Sequence, residues 1–92
     1  MASTSPGYGI TIRVEGPPDA NPVALATTVI TGAGATITAL DVVESLLEKV
    51  VIDITCDTID AEHAEQITAA ISSNSDLTVR KVSDRTFLLH LG

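Results

Sequence analysis

The chain has 92 residues, 45% of them apolar, and a formal net charge of −7 from 12 acidic and 5 basic residues. This length fits one small domain, and so apolar a composition excludes a disordered chain. The two aromatic residues, Tyr8 and Phe87, and the lack of a basic patch argue against nucleic acid as a partner. An anionic membrane surface would repel the chain for the same electrostatic reason.

The sequence lacks the marks of a secreted or membrane-spanning protein. Cys56 is the single cysteine, so no disulfide can form within the chain. No apolar run approaches the roughly 20 residues that cross a bilayer. Residues 1–7 have neither the basic nor the apolar part of a signal peptide. We therefore expect a cytoplasmic protein whose residues 1–7 form a flexible tail.

The first half of the chain predicts a strand, a helix and a second strand. Alternating apolar residues mark a strand over 8–15, and β-branched residues mark another over 36–43. Between them, Asn21 followed by Pro22 is typical of a helix N-cap and its first helical position. Gly32-Ala-Gly34 then predicts the end of that helix.

The second half predicts a strand, a helix and a strand. The strands cover residues 50–56 and 77–82, and Thr58 or Asp60 is the candidate N-cap of the helix between them. The short connection 44–48 favours an antiparallel hairpin. The order βαββαβ predicts an α+β ferredoxin-like fold, with two helices on one face of a four-stranded antiparallel sheet. The predicted core consists of Ile12, Val14, Leu25, Val29, Ile52, Ile54, Ile67 and Val79.

Few residues suggest chemistry, and no catalytic or metal site is predicted. Cys56 could act as a nucleophile only with His63 or His90 beside it, and core packing is the favoured interpretation of its position. His63 lies among glutamates and is interpreted as a solvated surface group. Glu62 and Glu65 could share a helix face, but two carboxylates make a weak cation site.

Two segments resemble the signature of ACT domains, which bind amino acids beside metabolic enzymes. Residues 21–25, Asn-Pro-Val-Ala-Leu, are similar to its Pro-Gly-x-Leu motif, and residues 32–37 to its glycine turn and second strand. The resemblance covers about residues 8–83 and implies the βαββαβ fold and side-by-side pairing of domains. Val23 stands where the family has glycine, and Thr36 stands where it commonly has asparagine.

The last residues carry a narrower resemblance. Residues 81–92 are similar to the junction by which an N-terminal ACT domain enters bacterial NAD-dependent malic enzymes. This implies an ACT-like domain over 8–84 and the start of a connection to an absent catalytic domain over 85–92. That catalytic domain would hold NAD and a divalent metal and would oxidatively decarboxylate malate to pyruvate. The resemblance implies no cofactor and no catalysis in this chain, and the apolar run at 86–91 predicts that the protein continues.

A ligand site is predicted where the first helix begins. Free N–H groups at a helix start attract a carboxylate, and Asp19 with the Asn21 carbonyl suits an ammonium group. The second strand carries one charge, Asp41, and no proline, which predicts a homodimer through this sheet edge. An amino acid or related metabolite would then lie between this loop and the partner's second strand. The alternative is a purely structural dimerisation module without a ligand. The candidate ligand-binding residues are Asp19, Asn21, Val23, Ala24, Leu25, Thr36, Ile37 and Thr38.

Overall fold

Strands and helices follow one another in the order predicted from the sequence. The computed structural model describes residues 7–84. The predicted connection at 85–92 and all of the predicted tail except Gly7 lie outside these described residues. The elements are β1 (Tyr8–Gly16), a 3₁₀ helix (Pro18–Ala20), α1 (Pro22–Gly32), β2 (Thr36–Ser45), β3 (Val50–Thr58), α2 (Ala61–Ser72) and β4 (Thr78–Asp84).

The four strands form one antiparallel sheet in the order β2-β3-β1-β4. This is the α+β ferredoxin-like arrangement that the sequence predicts. It makes β2 and β4 the two edge strands, so the prediction that the second strand is an edge is confirmed. The turn between β2 and β3 is closed by the Leu46 N–H, which donates to the Lys49 carbonyl at 2.8 Å. The predicted hairpin is therefore confirmed as well.

Alternating residues of the two central strands build the core. On β1 and β3 every second side chain is buried on the face that the helices cover. The fully buried side chains are Ile10, Ile12, Val14, Ile30, Ile52, Ile54, Cys56, Ile67 and Ile71. Five of the eight predicted core residues are among them, and the other three, Leu25, Val29 and Val79, are half-buried at the margin. Leu25 and Val29 are marginal because α1 turns its Pro22, Ala26 and Ile30 stripe toward the sheet.

The opposite face of the sheet is polar. Arg13 lies directly across from Asp53, and two hydrogen bonds of 2.8 and 2.9 Å join its guanidinium to both carboxylate oxygens. These hydrogen bonds hold the pKa of Asp53 below its usual value. Beside this pair, the hydroxyls of Thr11 and Thr55 are 2.9 Å apart. Such cross-strand pairs fix the register of β1 against β3.

Candidate functional site

The loop between β1 and α1 has a fixed geometry. After the 3₁₀ helix, Asn21 adopts a left-handed conformation with φ 55° and ψ 61°, and its N–H donates to the Pro18 carbonyl at 3.1 Å. Asparagine is one of the few residues other than glycine that enters this region readily. Gly16 completes the turn, because a Cβ there would be 2.8 Å from the Asp76 carbonyl oxygen. The loop therefore approaches the start of β4 too closely for a side chain at residue 16.

Asn21 is the N-cap residue of α1 and Pro22 its first helical position, as predicted. The Asn21 carbonyl accepts from the Leu25 N–H at 3.0 Å, but the Asn21 side chain makes no hydrogen bond to the first turn. The reason is the left-handed backbone, since side-chain caps normally require an extended residue. Asp60, which is extended, caps α2 as predicted, and its Oδ1 accepts from the His63 N–H at 2.8 Å. The Val23 and Ala24 N–H groups thus gain no partner from the Asn21 side chain, whereas the Leu25 N–H is bonded to the Asn21 carbonyl.

The predicted ligand-binding residues divide into two groups. Asp19, Asn21 and Ala24 are exposed around the start of α1, whereas Val23 and Leu25 pack partly against the core. The other group, Thr36, Ile37 and Thr38, begins β2.

The sheet register places these two groups at opposite ends of one chain. Gly16 is paired with Val50, as is Ser45 at the end of β2, so the loop before α1 lies near that end. Thr36 is instead paired with Asp57, which is seven residues from Val50 along β3, or roughly 24 Å. The structure describes a single chain, so a site shared with a partner's β2 stays a prediction.

The edge strand β2 exposes apolar side chains. Leu40 pairs across from Ile54, and Val42 across from Ile52, so both lie on the face where the helices pack. Their partners on β3 are completely buried, but Val42, on the outer strand, is 49% exposed. Leu46 and Leu47 continue this exposed surface into the hairpin turn. We call Leu40, Val42, Leu46 and Leu47 the β2 patch.

His63 is not the solvated surface residue that the sequence suggested. Its side chain is half-buried, and its Nδ1 accepts from the Ile59 N–H at 2.9 Å. The proton is therefore on Nε2, which donates to the Ala33 carbonyl at 2.7 Å. His63 thus joins the end of α1 to the start of α2. A helix end at Gly32 and a helix start at Asp60 were both readable in the sequence, but their proximity depends on tertiary packing.

Cys56 packs in the core, as predicted. Its side chain is completely buried on β3, and this burial raises the pKa of the thiol to about 11. Within residues 7–84, no group of three or more His, Cys, Asp or Glu side chains is arranged to hold a metal ion. No helix in the same range is long and apolar enough to cross a membrane.

The sequence did not predict a groove between α2 and β4. It has a volume of about 460 Å³, and small side chains of α2 form one wall. The sequence feature that could have indicated this groove is a set of small residues at helical spacing on α2, namely Ala61, Ala64, Thr68 and Ala69. Such residues leave space beside the edge strand, where larger ones would fill it.

Comparison with known proteins gives one informative similarity. No family model matches the chain. It is 34% identical over 83 residues to an NAD-dependent malic enzyme of Geobacillus stearothermophilus. The match covers 90% of this chain but only 17% of that relative's length. This identity supports a relationship between this chain and malic enzymes. The chain corresponds to only a small part of the relative's length.

Proposed function

We propose that this chain is a regulatory and dimerisation domain of an NAD-dependent malic enzyme and is not catalytic by itself. The relationship to malic enzymes supports the choice of parent enzyme, and the small share of the relative's length supports a non-catalytic part. In this proposal NAD and a divalent metal bind in a separate catalytic domain of the same protein. A lone cysteine buried in the core is compatible with a reducing cytoplasm, where we place the protein.

The observation that carries the proposal is the open edge of β2. This strand has ten residues, and within residues 7–84 it pairs on one side only, with β3. An open edge with apolar side chains is a surface for pairing with another strand. Two chains joined through antiparallel β2 strands would form a continuous eight-stranded sheet, and the β2 patch would be covered at the join.

This pairing also explains how a ligand site could form between two chains. Antiparallel pairing reverses the partner's β2, so its first residues, Thr36–Thr38, come to the end of the sheet where α1 begins. A carboxylate at the first-turn N–H groups and an ammonium near Asp19 and Asn21 would then lie beside the partner strand. The effector would be an amino acid or a related metabolite, and its binding would be linked to the geometry of the dimer.

A purely structural dimerisation module is the second candidate. It is favoured by Val23, which stands where the ACT signature has a glycine that lets a ligand approach the backbone. The ligand-binding version is favoured by Asn21, whose side chain is not engaged in capping the helix. A ligand that fits beside Val23 would be small or flat.

The dimer is tested by placing a charge on each edge strand in turn. Val42 on β2 and Val82 on β4 are similarly exposed, at 49% and 44%, so both accept lysine without burying a charge. We expect sedimentation to show a dimer for the unmodified chain and for Val82→Lys, and a monomer for Val42→Lys. A monomer for the unmodified chain at high micromolar concentration would remove the proposal, and dissociation by Val82→Lys alone would assign pairing to β4.

The ligand is tested by a thermal-shift screen with the proteinogenic amino acids and central metabolites. A ligand that binds only the folded state raises the melting temperature as its concentration rises. For any compound found, calorimetric titration should show weaker binding to Asn21→Ala and equal or tighter binding to Val23→Gly. If the dimer is confirmed and no compound shifts the melting temperature, the structural module is the correct alternative.

A further inference from the structure

The groove between α2 and β4 lies at the sheet edge opposite to β2. Ile10 and Val82, on neighbouring strands, form its floor, and Ala64 and Ala69 on α2 form one wall. Tyr8 closes one side. A volume of about 460 Å³ is within the range of small-molecule sites in proteins, which is roughly 300–1,000 Å³. The surface is therefore large enough for a compact ligand with an apolar body.

Within residues 7–84, the charged groups that line the groove are negative. Glu65 and Asp84 are the two carboxylates among its described lining residues, which include no basic side chain. The Tyr8 hydroxyl donates to Asp84, which together with the nearby negative charge raises the pKa of Tyr8. Glu65 is exposed and has no ion pair within residues 7–84. The groove therefore combines an apolar floor with a negative rim and an aromatic ring.

We propose that this groove binds a compact organic cation, an amine whose apolar body lies against Val82 and Ala69. Its ammonium group would lie beside the Glu65 and Asp84 carboxylates, where an anionic ligand would be repelled. Tyr8 adds the face of an aromatic ring, which attracts organic cations by a cation–π interaction. This site shares no residue with the predicted site at the start of α1 and does not depend on a second chain.

The proposal is tested with three probes of similar shape and different charge: phenethylamine, phenethyl alcohol and phenylpropionate. Binding is followed at neutral pH, where the amine is protonated, by amide chemical shifts. We expect phenethylamine to move the amides of Tyr8, Ala69 and Val82 in a saturable manner. The alcohol should bind severalfold more weakly, and the carboxylate should not bind.

Two glutamates on α2 provide a matched pair of variants. Glu65→Gln should weaken phenethylamine binding severalfold, whereas Glu62→Gln, which is on the same helix but outside the groove, should leave it unchanged. Ala69→Leu should abolish binding by filling the groove, and because Ala69 is exposed the fold should tolerate the larger side chain. The proposal is overturned if the three probes bind alike, if none binds, or if the two glutamate variants have the same effect.

Discussion

His63 lies where α1 ends and α2 begins, and its two ring nitrogens are occupied by backbone groups of different segments. One bond reaches four residues back in the chain to Ile59, and the other reaches thirty residues back to Ala33. The imidazole therefore links two backbone groups, the Ile59 N–H and the Ala33 carbonyl, that do not bond to each other directly. This role differs from metal binding or catalysis, for which the side chain would need a free nitrogen.

Replacement of His63 should destabilise the domain. We expect His63→Ala to lower the free energy of unfolding by about 1–2 kcal/mol, because two hydrogen bonds to backbone groups are lost. Gln66→Ala is the control on the same helix, one turn later and exposed, and it should change stability by less than about 0.5 kcal/mol. Denaturant titration followed by circular dichroism measures both, and equal effects would show that the two bonds contribute nothing.

The ion pair between Arg13 and Asp53 should make stability depend on pH. The folded-state pKa of Asp53 is lowered, chiefly by its hydrogen bonds to Arg13, below the ordinary value of about 4. The pair therefore contributes fully above that value, and its contribution is lost as the pH falls through the folded-state pKa.

The stability difference between the unmodified chain and Asp53→Asn should thus be present at neutral pH and should disappear in acid. Denaturation midpoints of the unmodified chain and Asp53→Asn, measured from neutral pH into acid, test whether this stability difference disappears. Asp41→Asn is the control, because Asp41 is the cross-strand neighbour of Asp53 and makes no ion pair within residues 7–84. A difference for Asp53→Asn that is constant with pH would contradict the interpretation.

Two differences between sequence and structure at the residue scale have a common cause: the Asn21 side chain does not bond to the first turn of α1, and His63 is not a surface group. Asn21 and His63 were assigned by residue type and neighbours in sequence, as a cap and as a surface group. The conformation of Asn21 depends on the 3₁₀ helix before it, and the partners of His63 come from a distant segment. Local sequence patterns contain neither kind of information, whereas Asp60 was predicted correctly because its cap bond reaches only three residues ahead.

At the scale of elements, alternation predicted the central strands well. The periodic burial of β1 and β3 follows directly from their apolar residues, which face helices on one side. The same reasoning could not say how far the helices extend over the sheet. Val79 on β4 was therefore predicted as core although it is only half-buried. The bulges in β2, between Ile37 and Ala39 and between Val42 and Glu44, also have no local signal.

One cross-strand pair allows the stability contributions of a central and an outer strand to be compared. Ile52 and Val42 lie directly opposite each other, but Ile52 is completely buried and Val42 is 49% exposed. We expect Ile52→Ala to cost about 2–5 kcal/mol of unfolding free energy and Val42→Ala less than about 1 kcal/mol. Both should be measured at one protein concentration, since dimerisation would add to stability. A loss below about 0.5 kcal/mol for Ile52→Ala would show that β3 is not central.

The end of α1 offers a second matched pair. Gly34 has φ 92°, which strains any residue with a side chain, while Gly32 is within the helix and has open space around its Cα. Gly34→Ala should destabilise the domain by about 1–2 kcal/mol. Gly32→Ala should stabilise it by up to about 1 kcal/mol, because alanine favours the helix more than glycine does. Thermal melts of both variants would refute this account if they moved in the same direction.

At the scale of the whole molecule, the part of the chain described by the structure, residues 7–84, has one edge strand on each side of its central strands. The domain measures 41 × 27 × 20 Å, and its long, flat sheet presents β2 on one side and β4 on the other. The two edges have different surroundings, since an apolar patch borders β2 and a groove with acidic residues borders β4. The two proposals for this chain therefore concern separate surfaces and can be tested independently.

We expect this chain alone to show no malate-dependent reduction of NAD. Gly32 and Gly34, the closest approach in the sequence to a nucleotide-binding loop, lie at the end of a helix and not between a strand and a helix. A coupled spectrophotometric assay with malate, NAD and Mg²⁺ or Mn²⁺ tests this, with an intact malic enzyme as the positive control. The assignment of this chain as non-catalytic would be overturned if the purified chain showed turnover and if removing the chain from the sample by affinity capture removed that turnover.

The one-sided pairing of β2 has a consequence for amide hydrogen exchange. In an isolated chain, β2 is held to the domain by β3 and by little else, so it can detach while β1, β3 and the helices remain folded. Its amides should then exchange with solvent at low protein concentration well before the β3 amides that donate to β1, although both strands belong to one hairpin. Raising the concentration should slow exchange in β2 selectively. The exchange rate of the β2 amides would thus measure dimer formation directly.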